Sequence, residues 1–405
     1  MNTDVQLKVE RQNVSETGAP GAPRTDWRRL FGLREMGVYY ALLLLIIVLA
    51  FITGYLGRAN YLSVLNLSNV VYQSSLIAIM AVAMTVVLIS GNFDLSVASV
   101  AALAAALLIG NADTLGFWPA AGIAMAAAMA IGLLNGAIVQ FVGINAFIVT
   151  LGTMTAVRGL VLIYTDGRSL SASDPGVVET MRNFEGGRHD FFWLIVAAGI
   201  ALLAYGLTEF LKSYRAGAAL RPTPLGMTLA GIALLLLAWA ADGELLVRNP
   251  VIYMGVFSAV VWFTLTFTMV GRRLYASGGN SEAARLSGIN VTRYKLMAFV
   301  FCSAAAGFAG ILFASRLRSI NPAGLQGAEL TVIAAAILGG TSLFGGAGSV
   351  VKTLAGALLL YSLTNGFNIM NLGANWQGLI EGIVVVTAAA IYTVGGGRAK
   401  SKTGG

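Results

Sequence analysis

Runs of apolar residues long enough to cross a bilayer alternate with short polar stretches along almost the whole chain. A hydrocarbon core about 30 Å thick is crossed by roughly 20 helical residues. On that measure the runs at 38–57, 73–90, 95–111, 117–141, 147–164, 191–211, 225–241, 251–270, 296–315, 328–344, 349–367 and 377–394 predict twelve spans, with both chain ends on one side. A backbone surrounded by lipid must satisfy its own hydrogen bonds, so these spans are helices. The expected fold is all-α, a polytopic transmembrane bundle in which some helices are broken. The runs are rich in Gly, Ala and Ser, as in 101–108, 120–136 and 334–340, which predicts close helix contacts made by backbone and methyl groups.

The polar stretches set the orientation. Residues 1–34 mix both charge signs with the run GAPGAPRT and read as a flexible cytoplasmic tail. Arg28, Arg29 and Arg34 precede the first span, and no small-residue cleavage pattern follows it, so the first helix is expected to stay uncleaved. A cytoplasmic N-terminus puts Lys212, Arg215 and Arg221 inside, together with the tail 396–405. The stretch 166–190 then lies outside. Between the tails, 35–395 forms one membrane domain, with an inserted segment at 191–241 and a basic cytoplasmic loop at 271–295. Arg316 and Arg318 fall on the wrong side of this count, which one re-entrant segment would alter.

Composition narrows the classes. Of 405 residues, 57% are hydrophobic and 11% charged, and a mean hydropathy of +0.78 excludes an ordinary soluble protein. A net charge of +8 would suit nucleic acid, but the basic residues adjoin apolar spans, as in cytoplasmic loops, so no nucleic-acid partner is expected. Cys302 and His189 are the only residues of their types, which rules out an internal disulfide and a Cys/His metal cluster. The stretch 346–353, GAGSVVKT, misses the phosphate-loop pattern because Val351 stands where glycine must precede the lysine. No nucleophile–base pair stands out. The chain is expected to be neither an enzyme nor a cofactor carrier.

The loop 271–295 reads GRRLYASGGNSEAARLSGINVTRYK and predicts one short helix. Gly278 and Gly279 are expected to break the preceding structure, Asn280 or Ser281 to accept from first-turn N–H groups, and Gly288 to stop the helix. Isolated helices below roughly 12–15 residues barely hold in water, so this one needs a docking partner. Ala283 and Ala284 keep its surface low, and Glu282 and Arg285 put opposite charges one turn apart. Elsewhere, glycines and polar side chains interrupt apolar helix at 90–96 and 339–346. Capping explains both breaks, with Asp94 capping a helix from Leu95 and with Thr341 and Ser342 meeting freed carbonyls. Broken helices also line transport paths, and the two explanations are compatible. The ionisable groups within the membrane are Arg158, Glu329 and Glu381, with Asp94 near a boundary. Glu329 complements a helix N-terminus.

Glu282-Ala283-Ala284 followed by Gly288 resembles the EAA loop of permease subunits of bacterial ABC importers, and GGNSEAARLSGINV is similar to its ribose, arabinose and xylose branch. GNFDLSVAS and LGGTSLFGGAGS also resemble motifs of that branch. Ala98 replaces a customary glycine, and Ala298–Phe301 lack the proline of the broader importer pattern. The segment 191–241 resembles xylose-type permeases. The resemblance implies an inner-membrane permease that takes up a monosaccharide, xylose or a near relative. Its implied partners are an ATP-binding subunit that holds ATP and Mg2+, a periplasmic sugar-binding protein, a second permease copy and membrane lipid. Gly279, Asn280, Glu282, Ala283, Ala284, Arg285 and Gly288 would couple to the ATP-binding subunit. A neutral sugar needs hydroxyl and amide partners, for which Asn92, Asp94, Ser96, Asn145, Thr150, Glu329, Thr341 and Asn365 are path candidates. The alternative is a secondary transporter driven by an ion gradient, with Asp94, Glu329 and Glu381 as a thin relay.

Overall fold

The computed structural model describes residues 33–215, 222–241 and 245–372, with isolated positions 376, 379, 382 and 383 beyond them. The span at 377–394, the terminal tails and Glu381 lie essentially outside the described residues.

Helices follow the apolar runs. In chain order they are α1 (Leu33–Tyr55), α2 (Val64–Ile89), α3 (Val97–Leu115), α4 (Phe117–Ala137), α5 (Ala146–Tyr164), α6 (Pro175–Gly186), α7 (Phe192–Arg215) and α8 (Pro222–Ala240). Then come α9 (Asn249–Phe267), α10 (Met269–Gly279), α11 (Ser281–Leu286), α12 (Val291–Leu317), α13 (Ala328–Leu338) and α14 (Val350–Met370). Among the described residues, nine helices are long and apolar enough to cross a membrane. α13 is not: its 11 residues reach only about 16 Å. The predicted run 328–344 is therefore a half-helix that ends at Leu338, with Gly339–Ser349 turning the chain into α14. α2 starts nine residues before the predicted 73, because Ser63 accepts from the Asn66 N–H and starts the helix within a polar stretch.

The connections gather at two rims. Short strands β1 (Leu170–Ser171) and β4 (Ser319–Ile320) pair antiparallel, with Leu170 opposite Ile320. Likewise β2 (Arg188–Asp190) pairs with β3 (Leu246–Arg248), with His189 opposite Val247. These pairs join 166–190, the α8–α9 turn and the α12–α13 turn on one rim, the outer one in the expected orientation. Arg316 thus lies at that rim as the span count requires, and it is neutralised there: its Nε donates to Glu185 Oε1 at 2.7 Å. The opposite rim, the cytoplasmic one in the expected orientation, carries Arg272, Arg273, Arg285 and Arg293.

α2 is the core. Every residue from Leu76 to Ile89 is buried, enclosed by α9, α12, α13 and α14. Beside it α3, α4 and α12 approach through small residues. A Cβ on Gly310 would overlap the Ala101 carbonyl, and one on Gly132 would lie 2.7 Å from the Phe299 carbonyl oxygen. Close approach through glycine and alanine is how helices gain contact where water no longer drives them together. The inserted segment behaves differently. Among the described residues α7 and α8 pack chiefly on each other, with the Gly231 Cα set against the backbone of Gly199 and Leu203.

Candidate functional site

The basic loop holds two helices rather than the single one expected. Gly278 and Gly279 do not break the preceding structure; they form the last turn of α10, which Thr268 starts by accepting from the Gly271 N–H. The chain turns only at Asn280, whose extended backbone ends α10 and whose Oδ1 accepts from the Ala283 N–H at 3.0 Å to start α11. Gly288 stops α11 with φ +78°, a conformation in which glycine carries no Cβ penalty. The six-residue helix buries Ala284 and leaves Glu282, Ala283, Arg285 and Leu286 exposed. No Glu282–Arg285 ion pair forms among the described residues, so both charges remain available to a partner. Beside them Met269, Arg272, Arg273, Ser287, Gly288 and Ile289 line a cavity of about 330 Å³ that carries two guanidinium groups.

Gly278 has a use that the sequence did not disclose. A Cβ there would overlap the Ile89 carbonyl at the end of α2, so α10 rests on the first helix break by its backbone. The second break meets the same place: the Gly346 N–H donates to the Ile89 carbonyl at 2.9 Å, and the Tyr275 hydroxyl donates to the Gly348 carbonyl at 2.9 Å. Three glycine-bearing motifs far apart in sequence thus converge on the rim that carries the basic loop.

At each break most polar groups bond within the break, and one buried oxygen is left over. At the first, α3 begins at Val97, two residues later than expected, and Asp94 Oδ1 accepts from the Ser96 N–H at 2.9 Å and from its hydroxyl at 2.5 Å. The Asn135 amide donates to Ser96 Oγ at 3.0 Å and Thr153 donates to Asn135 Oδ1 at 2.6 Å, extending the chain of bonds from the break through α4 to α5. Asn92 donates to Ser90 Oγ. Asp94 is fully buried, and its Oδ2 has no partner among the described residues. At the second break the freed carbonyls of Ala335, Ala336 and Ile337 are met by the N–H groups of Gly339, Thr341 and Gly340, not by side chains. The Thr341 hydroxyl is buried without a partner among the described residues, and Ser342 Oγ accepts from the Phe344 N–H.

The other path candidates lie apart from this cluster. Asn145 caps α5 by accepting from the Phe147 N–H, and Thr150 donates to the Ala146 carbonyl of its own helix. Asn365 donates to Asn66, tying α14 to α2 near the outer rim. Glu329 stands in the first turn of α13. Arg158 donates to the carbonyls of Pro322 and Gly324, so backbone oxygens of the turn before α13 receive its charge.

One cluster was missed in the sequence. The Tyr72 hydroxyl donates to Glu185 Oε1 at 2.6 Å, while the guanidinium carbons of Arg248 and Arg316 lie 4.2 and 4.1 Å from its ring centroid. This clasp joins α2, α6, β3 and α12 at the outer rim. Its one visible signal is Arg316, a positive charge that the span count places on the outer side.

A family model described as branched-chain amino acid transport system / permease component matches residues 66–389. The ribose import permease protein of Escherichia coli strain K12 is 34% identical over 363 residues, 89% of this chain and 94% of that protein. The xylose transport system permease protein of the same strain is 33% identical over 375 residues, covering 88% and 92%. The ribose import permease protein of Bacillus subtilis strain 168 is 30% identical over 367 residues, covering 89% and 92%. No solved structure matches the chain.

Proposed function

The chain belongs to the permease family whose model spans residues 66–389, and on that premise we propose that it is the membrane subunit of an ATP-driven sugar importer. A pentose is the cargo that both sets of relatives support. Relatives named for ribose and for xylose are equally similar, so identity gives no preference for xylose. In this reading ATP and Mg2+ bind a separate subunit, a periplasmic binding protein brings the sugar to the outer rim, and two permease copies enclose the path. The observation that carries it is α11: a capped helix of six residues, exposed on its charged side and seated through α10 on both helix breaks.

Such a helix converts partner movement into helix movement without chemistry of its own. Glu282 and Arg285 would meet the ATP-binding subunit, Ala283 and Ala284 let it approach, and Asn280 and Gly288 fix the length. Asn92, Asp94, Ser96 and Thr341, at the two breaks, would line or support the path. The test is uptake into vesicles holding the chain and its ATP-binding subunit, with ATP or with a proton gradient alone. Uptake that needs ATP supports the reading; equal uptake under the gradient alone favours a secondary transporter. Glu282→Lys should abolish sugar-stimulated ATP hydrolysis in a chain that still inserts and folds.

A further inference from the structure

We propose that Gly278 and Gly279 form, with Ile89–Gly91 and Gly345–Gly346, a rigid junction through which α10, α11 and both helix breaks move as one body. The contacts are main chain on main chain. A Cβ on Gly345 would sit 2.5 Å from the Gly278 carbonyl oxygen and 2.9 Å from Gly91 Cα, and one on Gly346 would sit 2.6 Å from Gly279 Cα. Side chains can yield to displacement by changing rotamer, whereas touching backbones cannot. Two hydrogen bonds, Gly346 to Ile89 and Tyr275 to Gly348, lock the seam from both ends.

From this junction two ribs lead into the bundle. The first runs through Asp94, Ser96, Asn135 and Thr153 to α4 and α5. The second runs through Gly339, whose Cα lies against the backbone of Lys352 and Thr353, and so joins α13 to α14. A displacement of α11 therefore reaches both discontinuities together, with no side-chain slack between them. The purpose of such a junction rests on the import reading above; its rigidity does not.

Spin labels test it. Leu286, 84% exposed on α11, and Phe344, 94% exposed beside the second break, would be replaced by labelled cysteines. Cys302 is buried and leaves the introduced thiols as the reactive ones. The full chain in lipid nanodiscs should give one narrow Leu286→Cys to Phe344→Cys distance, the same alone, with the ATP-binding subunit and with nucleotide. Tyr275→Phe should broaden that distribution and Gly278→Ala should shift or split it. A distance in the unsubstituted junction that changes with nucleotide overturns the proposal, and so does an unaltered distribution in either variant. If Gly278→Ala does not insert, Tyr275→Phe decides alone. Uptake without nucleotide would defeat the import reading, while the label distance would still decide the junction.

Discussion

Replacing Asn280 by alanine removes the acceptor that holds the Ala283 N–H and starts α11. Loss of an N-cap costs about 1 kcal/mol. Little else can absorb that cost. α11 has six residues, and only Ala284 is buried, whose one methyl contributes about 0.8 kcal/mol. The backbone closes it with few bonds, among them Ala284 N–H to the Asn280 carbonyl and Ser287 N–H to the Ala283 carbonyl, both at 3.0 Å. A shift of about 1 kcal/mol lowers the ratio of formed to unformed helix roughly fivefold. If that helix is what the ATP-binding subunit grips, the affinity between the two proteins falls by up to the same factor, the full factor applying where the free helix is mostly unformed. Titration of the labelled subunit against the chain in nanodiscs measures it. Serine at 280 restores the acceptor and should recover native affinity, while glycine should cost only a few tenths of a kcal/mol. Native affinity in Asn280→Ala, or a serine variant as weak as alanine, would refute the reasoning.

Three further outcomes are expected. Arg316→Ala leaves the Glu185 carboxylate buried with the Tyr72 hydroxyl alone and should lower stability by about 3–5 kcal/mol. Thermal unfolding in detergent reads this, and adding Glu185→Ala should recover most of the loss. Asp94→Asn keeps an oxygen facing Ser96 but abolishes ionisation, so ATP-driven uptake should persist in reconstituted vesicles where an ion relay would fail. Gly310→Ala forces a methyl against the Ala101 carbonyl and should destabilise the α3–α12 contact by about 1–3 kcal/mol in the same unfolding assay.

The elements legible in the sequence were those governed by local pattern. Among the described residues apolar length located nine of the twelve expected spans, the runs at 225–241 and 328–344 giving shorter apolar helices, and turn chemistry located α11, since Asn280 and Gly288 act through their own backbone neighbours. What stayed hidden depends on residues far apart in the chain. Gly278 looked like a helix breaker because glycine lowers helix propensity; its use is a close approach to Ile89, which no local window contains. The Tyr72–Glu185–Arg248–Arg316 clasp joins four separate stretches and left only a charge on an unexpected side. At the second break the hydroxyls of Thr341 and Ser342 looked like the natural partners for freed carbonyls. The tight turn let main-chain N–H groups reach those oxygens first.

The β2–β3 pairing decides how the inserted arm is attached. Asp190 lies opposite Leu246, about 5 Å away across an antiparallel ladder, so the 55 residues from 191 to 245 leave one spot and return to it. A segment with neighbouring ends can be gained or lost while the rest of the architecture keeps its course. The α7–α8 arm thus has the geometry of an appendage hung from a single strand pair, so a change in its length need not displace the helices to which it is attached.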